Sequence, residues 1–168
     1  VGNGRELASL ESSDEDEEAW AGLERLLIVN TVGDIVVVGD DEVEVDVTYR
    51  GNRRAANALP ENVLADYDAV SRTLRIIGVD PKLPEDERRN LSADITVSVP
   101  ENVQVEIVNN VGNANVSEAA SAKLETNTGD VRLENILGEI EVTTNTGDIV
   151  MDLGKSVNAP ISARTNVG

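Results

Sequence analysis

The chain reads as all-β: a β-solenoid-like stack of ~18-residue coils in its C-terminal part, continuing from an N-terminal β-sheet region. Three observations carry that expectation. The first is an internal repeat. Val105-Glu-Ile-Val-Asn-Asn-Val-Gly112, Ala122-Lys-Leu-Glu-Thr-Asn-Thr-Gly129, Ile140-Glu-Val-Thr-Thr-Asn-Thr-Gly147 and Ile161-Ser-Ala-Arg-Thr-Asn-Val-Gly168 align, with glycines 17, 18 and 21 residues apart. Gly138 lies nine residues from both Gly129 and Gly147 and marks a half-step. A looser copy, Leu27-Ile-Val-Asn-Thr-Val-Gly-Asp-Ile35, opens the folded region and reads as having one extra residue between Asn30 and Gly33.

The second observation is alternation within the repeat. Seven and five residues before each glycine, and two and four after it, stand Val105, Ile107, Ala114 and Val116; Ala122, Leu124, Val131 and Leu133; and Ile140, Val142, Ile149 and Met151. All twelve are apolar, against two of the twelve interleaved residues, so each copy supplies two short strands with one buried face. The third is the near absence of aromatics: no Phe, and only Trp20, Tyr49 and Tyr67. A narrow stack of small aliphatics needs no aromatic layer.

Two connections fit these strands. Each Asn-x-Gly could close a hairpin of an antiparallel meander, or each copy could be one coil with like residues stacked at the ~4.8 Å strand spacing. The coil is preferred, because Asn110, Asn127, Asn145 and Asn166 recur beside Gly112, Gly129, Gly147 and Gly168, a pattern suited to an amide ladder. Glycine at each corner supplies backbone freedom that a tight bend needs.

From the start of the chain, residues 1–22 read as an acidic N-terminal arm, mobile and partly helical. Ser13 caps a short helix running through Asp14-Glu-Asp-Glu-Glu18 toward Leu23, with Trp20 as its anchor. Residues 23–100 form an N-terminal β region with strands at Leu26–Val29, Ile35–Val38, Val43–Tyr49, Ala69–Arg72, Thr73–Val79 and Ala93–Val99. Hairpin-like turns are placed at Gly39-Asp-Asp41 and around Ser71-Arg-Thr73. Segments 50–65 and 80–90 lack alternation and are read as excursions from one sheet. Residues 101–168 hold the coils, and 23–168 reads as one structural unit.

Fourteen basic against thirty-two acidic residues leave a net charge of −18, which argues against nucleic acid as a partner. With no Cys and no His, thiol chemistry, Cys/His zinc sites and histidine triads are excluded. No apolar run approaches the ~20 residues of a membrane span. Only three of the basic residues are Lys, and this acidic balance fits either adaptation to high salt or a solubilising surface.

The run Ile95-Thr-Val-Ser-Val-Pro-Glu-Asn-Val-Gln-Val-Glu-Ile107, followed by the Asn-Thr-Gly-Asp-Val and Asn-Thr-Gly-Asp-Ile copies, resembles the adhesin family of β-strand-repeat envelope proteins of bacteria and archaea, a domain of unknown function with Gly-Asp-aliphatic coils. The resemblance covers about residues 26–168. It implies a β-solenoid-like, extracytoplasmic domain used in surface structure, adhesion or envelope sensing, and it carries over no catalytic residue.

Asp34, Asp130 and Asp148 each follow a corner glycine and are the calcium candidates, the pattern bearing on that of calcium-binding β-rolls. Paired glycines are missing and one Asp per coil supplies too few oxygens, so a bond to a turn amide is preferred and no cofactor is expected. Asn127-Thr-Gly129 and Asn145-Thr-Gly147 mimic aspartic-protease loops, but Asn cannot share the proton of a carboxylate dyad. A glycosidase pair is disfavoured by the scarcity of aromatics for stacking sugars. Asn90-Leu-Ser92 and Asn115-Val-Ser117 fit the glycosylation pattern, at about the number chance supplies among sixteen Asn.

The sequence stops at Asn166-Val-Gly168, halfway through a repeat, so either the chain is cut short there or another subunit supplies the rest of the coil. The expected function is a non-enzymatic extracellular or cell-surface structural protein, adhesin-like, with head-to-tail self-association into a filament. The alternative is an envelope-sensing or ligand-binding module for cationic peptides or surface polymers, drawn by the −18 charge.

Overall fold

The computed structural model describes residues 5–53, 55–152 and 160–167. Its strands form two seven-stranded sheets. In the first, the order is β1 (Arg5–Glu11), β4 (Glu44–Gly51), β7 (Leu91–Pro100), β3 (Ile35–Asp40), β9 (Ala114–Ser117), β11 (Val131–Glu134) and β13 (Ile149–Asp152). In the second it is β14 (Ile161–Val167), β12 (Ile140–Thr146), β10 (Ser121–Thr128), β8 (Gln104–Val111), β2 (Arg25–Val29), β6 (Thr73–Ile77) and β5 (Leu64–Asp68). The inward side chains of both sheets make one apolar cluster.

Each repeat lays one strand in the second sheet, bends at its glycine and lays the next strand in the first sheet. Thus β8 leads to β9, β10 to β11 and β12 to β13, and β2 leads to β3 in the same way. Successive copies pair in parallel and in register: Val105 faces Ala122, Ala122 faces Ile140, and Ile140 faces Ile161. In the first sheet Ala114, Val131 and Ile149 align likewise. An antiparallel meander would have reversed alternate strands, and these ladders exclude it.

Because like positions stack, the alternation predicts burial well. Ten of the twelve apolar repeat residues are at most 2% exposed; Ile149 and Met151 remain partly buried, on β13 at the margin of its sheet. At ~25 cal/mol per Å2, each buried Val, Leu or Ile among them stabilises the fold by about 1.5–3 kcal/mol, and Ala114 and Ala122 by less.

Several expectations need correction. Arg5–Glu11 is not a mobile arm: it pairs antiparallel with β4, Leu10 opposite Val47, and Ser12 fixes its end by exchanging bonds with Val45. Ser13 caps helix α1 (Asp14–Ala19), which ends before Trp20 rather than at Leu23. The cap is reciprocal, Ser13 Oγ accepting from Asp16 N at 3.1 Å and Asp16 Oδ2 from Ser13 N at 3.2 Å. Trp20 and Leu23 then enter the core.

Strand β5 lies at Leu64–Asp68, not at Ala69–Arg72. Asp68 explains the shift, because its Oδ1 accepts the amides of Val70 and Ser71, turning the chain there, and Arg72 follows at φ +54°. Those bonds favour the charged carboxylate and hold Asp68 below its ordinary pKa. The turn after Gly39 closes no hairpin, since β7 lies between β3 and β4, parallel to β3 and antiparallel to β4. The two excursions carry a 3-10 turn (Ala55–Ala58) and helix α2 (Glu85–Arg88).

Candidate functional site

The glycine corner brings the predicted residues together. Gly112, Gly129 and Gly147 have φ of +139°, +150° and +145°, a region side chains avoid. Each also packs onto the preceding rung. A Cβ on Gly129 would lie 1.9 Å from the carbonyl oxygen of Gly112, and one on Gly147 would lie 2.0 Å from that of Gly129. Glycine is required twice over, by conformation and by contact. Gly168 lies outside the described residues.

The residue after each glycine ties one rung to the next. Asp94 Oδ1 accepts the amide of Asp34 at 3.0 Å, and Asp34 Oδ1 that of Asn113 at 2.9 Å. Asn113 Oδ1 then accepts Asp130 N, and Asp130 Oδ1 accepts Asp148 N, both at 2.9 Å. The calcium candidates Asp34, Asp130 and Asp148 are therefore members of a ladder of side-chain-to-amide bonds. Among the described residues no group of three or more acidic side chains converges as a metal site.

A second polar column escapes simple sequence reading. The register sets Leu26 opposite Val105 and Ile28 opposite Ile107, and Val32 bridges Val111. Asn30 therefore stands opposite Asn109, three residues before its glycine, and the supposed extra residue before Gly33 does not exist. Asn30, Asn109, Thr126 and Thr144 are all buried. Asn109 Nδ2 donates to Gly33 O at 2.9 Å, Thr144 Oγ1 to Gly129 O at 3.4 Å, and Thr165 Oγ1 to Gly147 O at 2.9 Å. Asn30 holds most: its Nδ2 donates to Ala93 O at 3.0 Å and Val32 O at 3.2 Å, while its Oδ1 accepts Val79 N at 2.8 Å. The alternation carried one step further toward the glycine would have revealed this column as polar residues at inward positions.

Asn110, Asn127, Asn145 and Asn166 are exposed on the outside of the same corner. Asn166 Nδ2 donates to Asn145 Oδ1 at 2.6 Å. The four amides line a shallow groove of about 430 Å3, with Thr31, Glu125 and Thr143 on its floor and Pro81 and Arg88 from the connection between β6 and β7. Arg88 Nε is buried there without a hydrogen-bond partner, as is Thr126 Oγ1. Nothing in the acidic run around Arg88 marked it in the sequence. At the opposite ends of the same strands, a second depression of about 440 Å3 is bordered by Arg25, Gln104, Glu106, Lys123, Glu139 and Glu141.

No family model matches the chain, and no curated protein matches it either. Among solved structures, the chain is similar to a candidate cell adhesion protein from Clostridium sporogenes, at 13% identity and a TM-score of 0.54, over 96% of this chain and 98% of that one. A candidate adhesin from Parabacteroides distasonis matches at 13% identity and a TM-score of 0.40, over 98% of this chain and 79% of that one. The first of these likenesses is one of fold.

Proposed function

We propose that this chain is a non-enzymatic, adhesin-like protein of the extracellular space or cell surface, whose strands build a β-solenoid-like body. The observation that supports this most is the exposed column of Asn110, Asn127, Asn145 and Asn166, repeated at the rung spacing along one corner. A periodic row of amides is a surface suited to a repeating partner. The likeness of fold to the Clostridium sporogenes protein over nearly the whole chain adds support. Fluorescent beads coated with the chain should adhere to cell surfaces above albumin-coated controls; adhesion no better than the control would sink the proposal.

The reading extends to head-to-tail association, in which the marginal strands β13 and β14 of one copy would meet β1 and β5 at the opposite margins of the next. Light scattering at high salt should give masses that grow with concentration, and a strict monomer counts against assembly. The net charge of −18 favours a second reading, an envelope-sensing module for cationic peptides. Saturable binding of a basic peptide by a monomer would favour it over the first.

A further inference from the structure

The groove at the asparagine corner has a direction. It runs across five rungs, from Asn30 on the β2 side to Asn166 on β14, and four spacings of ~4.8 Å give it a length of about 19 Å. Pro81 and Arg88 enter from the connection that follows β6, which lies beside β2, so the cationic side chain stands at the β2 end. The rest of the lining is mostly amides and hydroxyls, together with Val108 and Glu125.

The floor excludes one class of ligand. Strands β2, β8, β10 and β12 are each paired on both sides, so the floor from Asn30 to Asn145 offers no backbone edge to which a peptide strand could add, and only β14, at the sheet margin beyond it, has one. Along that floor recognition has to come from side chains. An Asn amide donates through its nitrogen and accepts through its oxygen, the same combination that a sugar hydroxyl presents in return. A row of amides at the rung spacing therefore suits a chain of neutral sugars.

Arg88 adds the one cationic contact in the lining. Its Nε is buried and unpartnered, and it forms no ion pair among the described residues. A buried donor without an acceptor is costly, and a guanidinium fork matches a carboxylate through two parallel bonds. Glu125 and the net charge of −18 oppose a polyanion, so the charge on the ligand has to be sparse.

We propose that this groove binds an oligosaccharide bearing a single terminal carboxylate, with the acidic sugar on Arg88 and the neutral sugars along Asn110, Asn127 and Asn145. This rests on the adhesin-like reading and names the class of its ligand. The probe is an array of oligosaccharides ending in an acidic sugar, each beside its neutral counterpart; sialyllactose beside lactose is one such pair. The wild-type chain should prefer acidic members by about tenfold, as expected for one charge-assisted bidentate contact. R88Q should abolish that preference while leaving the weaker binding of neutral members. N127A/N145A should weaken binding to both, and circular dichroism should show both variants folded. An array without preference for acidic members, or a preference that survives in R88Q, overturns the inference. Coated beads separate the two readings: adhesion to cells that R88Q leaves unchanged refutes the sugar assignment alone, whereas no adhesion by any beads refutes the adhesin-like role itself.

Discussion

The stretch from β8 to β13 and the stretch from β1 to β7 build the same two sheets by different means. In the former, every strand pairs in parallel with the strand one repeat away. Its core is small aliphatics, and its register is held by stacked glycines and by side chains that accept the next rung's amide. In the latter, β1 and β5 pair antiparallel at the sheet margins, and β4 and β7 pair antiparallel beside the parallel β7–β3 pair. All three aromatic residues belong to it. Repeat length fixes register wherever identical bends recur. Where the bends differ, single polar side chains such as Asn30 and Tyr49 must lock the neighbouring segments individually.

Breaking the glycine stack should have the largest effect. Gly129→Val places a Cβ against the carbonyl of Gly112 in a backbone region that a β-branched residue scarcely enters. Urea unfolding should show a loss of more than about 4 kcal/mol, the range of exceptional single substitutions. Gly22→Ala, whose Cβ meets nothing within 4 Å, should change stability far less.

The polar locks should rank next and should separate the two regions. Asn30→Ala leaves Val79 N and Ala93 O without their partner, and a loss of about 3 kcal/mol is expected. Thr144→Val removes only bonds of 3.4 Å and should cost less than about 1 kcal/mol. Equal losses in chemical denaturation would remove the difference between the two regions.

Tyr49 gives a pH test confined to the N-terminal stretch. Its hydroxyl donates to Gly78 O at 2.9 Å, and burial pushes its pKa from 10.0 up to about 12. The folded state thus holds the proton longer than the unfolded one. The stability tied to the neutral phenol is complete below pH 10 and is lost as pH rises toward about 12. Tyr49→Phe should cost about 1–2 kcal/mol at neutral pH and flatten that alkaline loss, as read from melting temperature against pH.

The amide ladder should give the smallest effect. Asp130→Ala removes the acceptor for Asp148 N on an exposed surface, and a loss of about 0.5–1 kcal/mol is expected. Asp130→Asn keeps an oxygen acceptor, as Asn113 does in the rung below, and should restore most of it. If Asn fails where Asp succeeds, charge rather than the hydrogen bond holds this corner.

Much of the corner was legible beforehand. The twelve inward aliphatics and the glycine bends followed from spacing, because alternation decides which way a side chain points. That Asn110, Asn127, Asn145 and Asn166 face outward, with a hydrogen bond between the Asn166 and Asn145 amides, is set by the tertiary structure. Asn30 was misaligned because an adjacent Asn109-Asn110 pair offers two matches, and only pairing with β8 chooses between them. Arg88 could not be found at all: one Arg of an Arg88-Arg89 pair in an acidic segment has no pattern, and its place in the groove depends on where the β6–β7 connection crosses the sheet.

By itself, then, the sequence determined the strands of the repeat, their buried faces and the residues at their bends. These are local properties, set by side-chain alternation and by the backbone freedom of glycine. Tertiary structure alone decided that β7 separates β3 from β4, that Arg5–Glu11 completes a sheet margin, and that Arg88 reaches the asparagine corner. Every strand presents the same row of amides and carbonyls along its edge, so the neighbour is chosen by how distant segments pack, not by anything written in the strand.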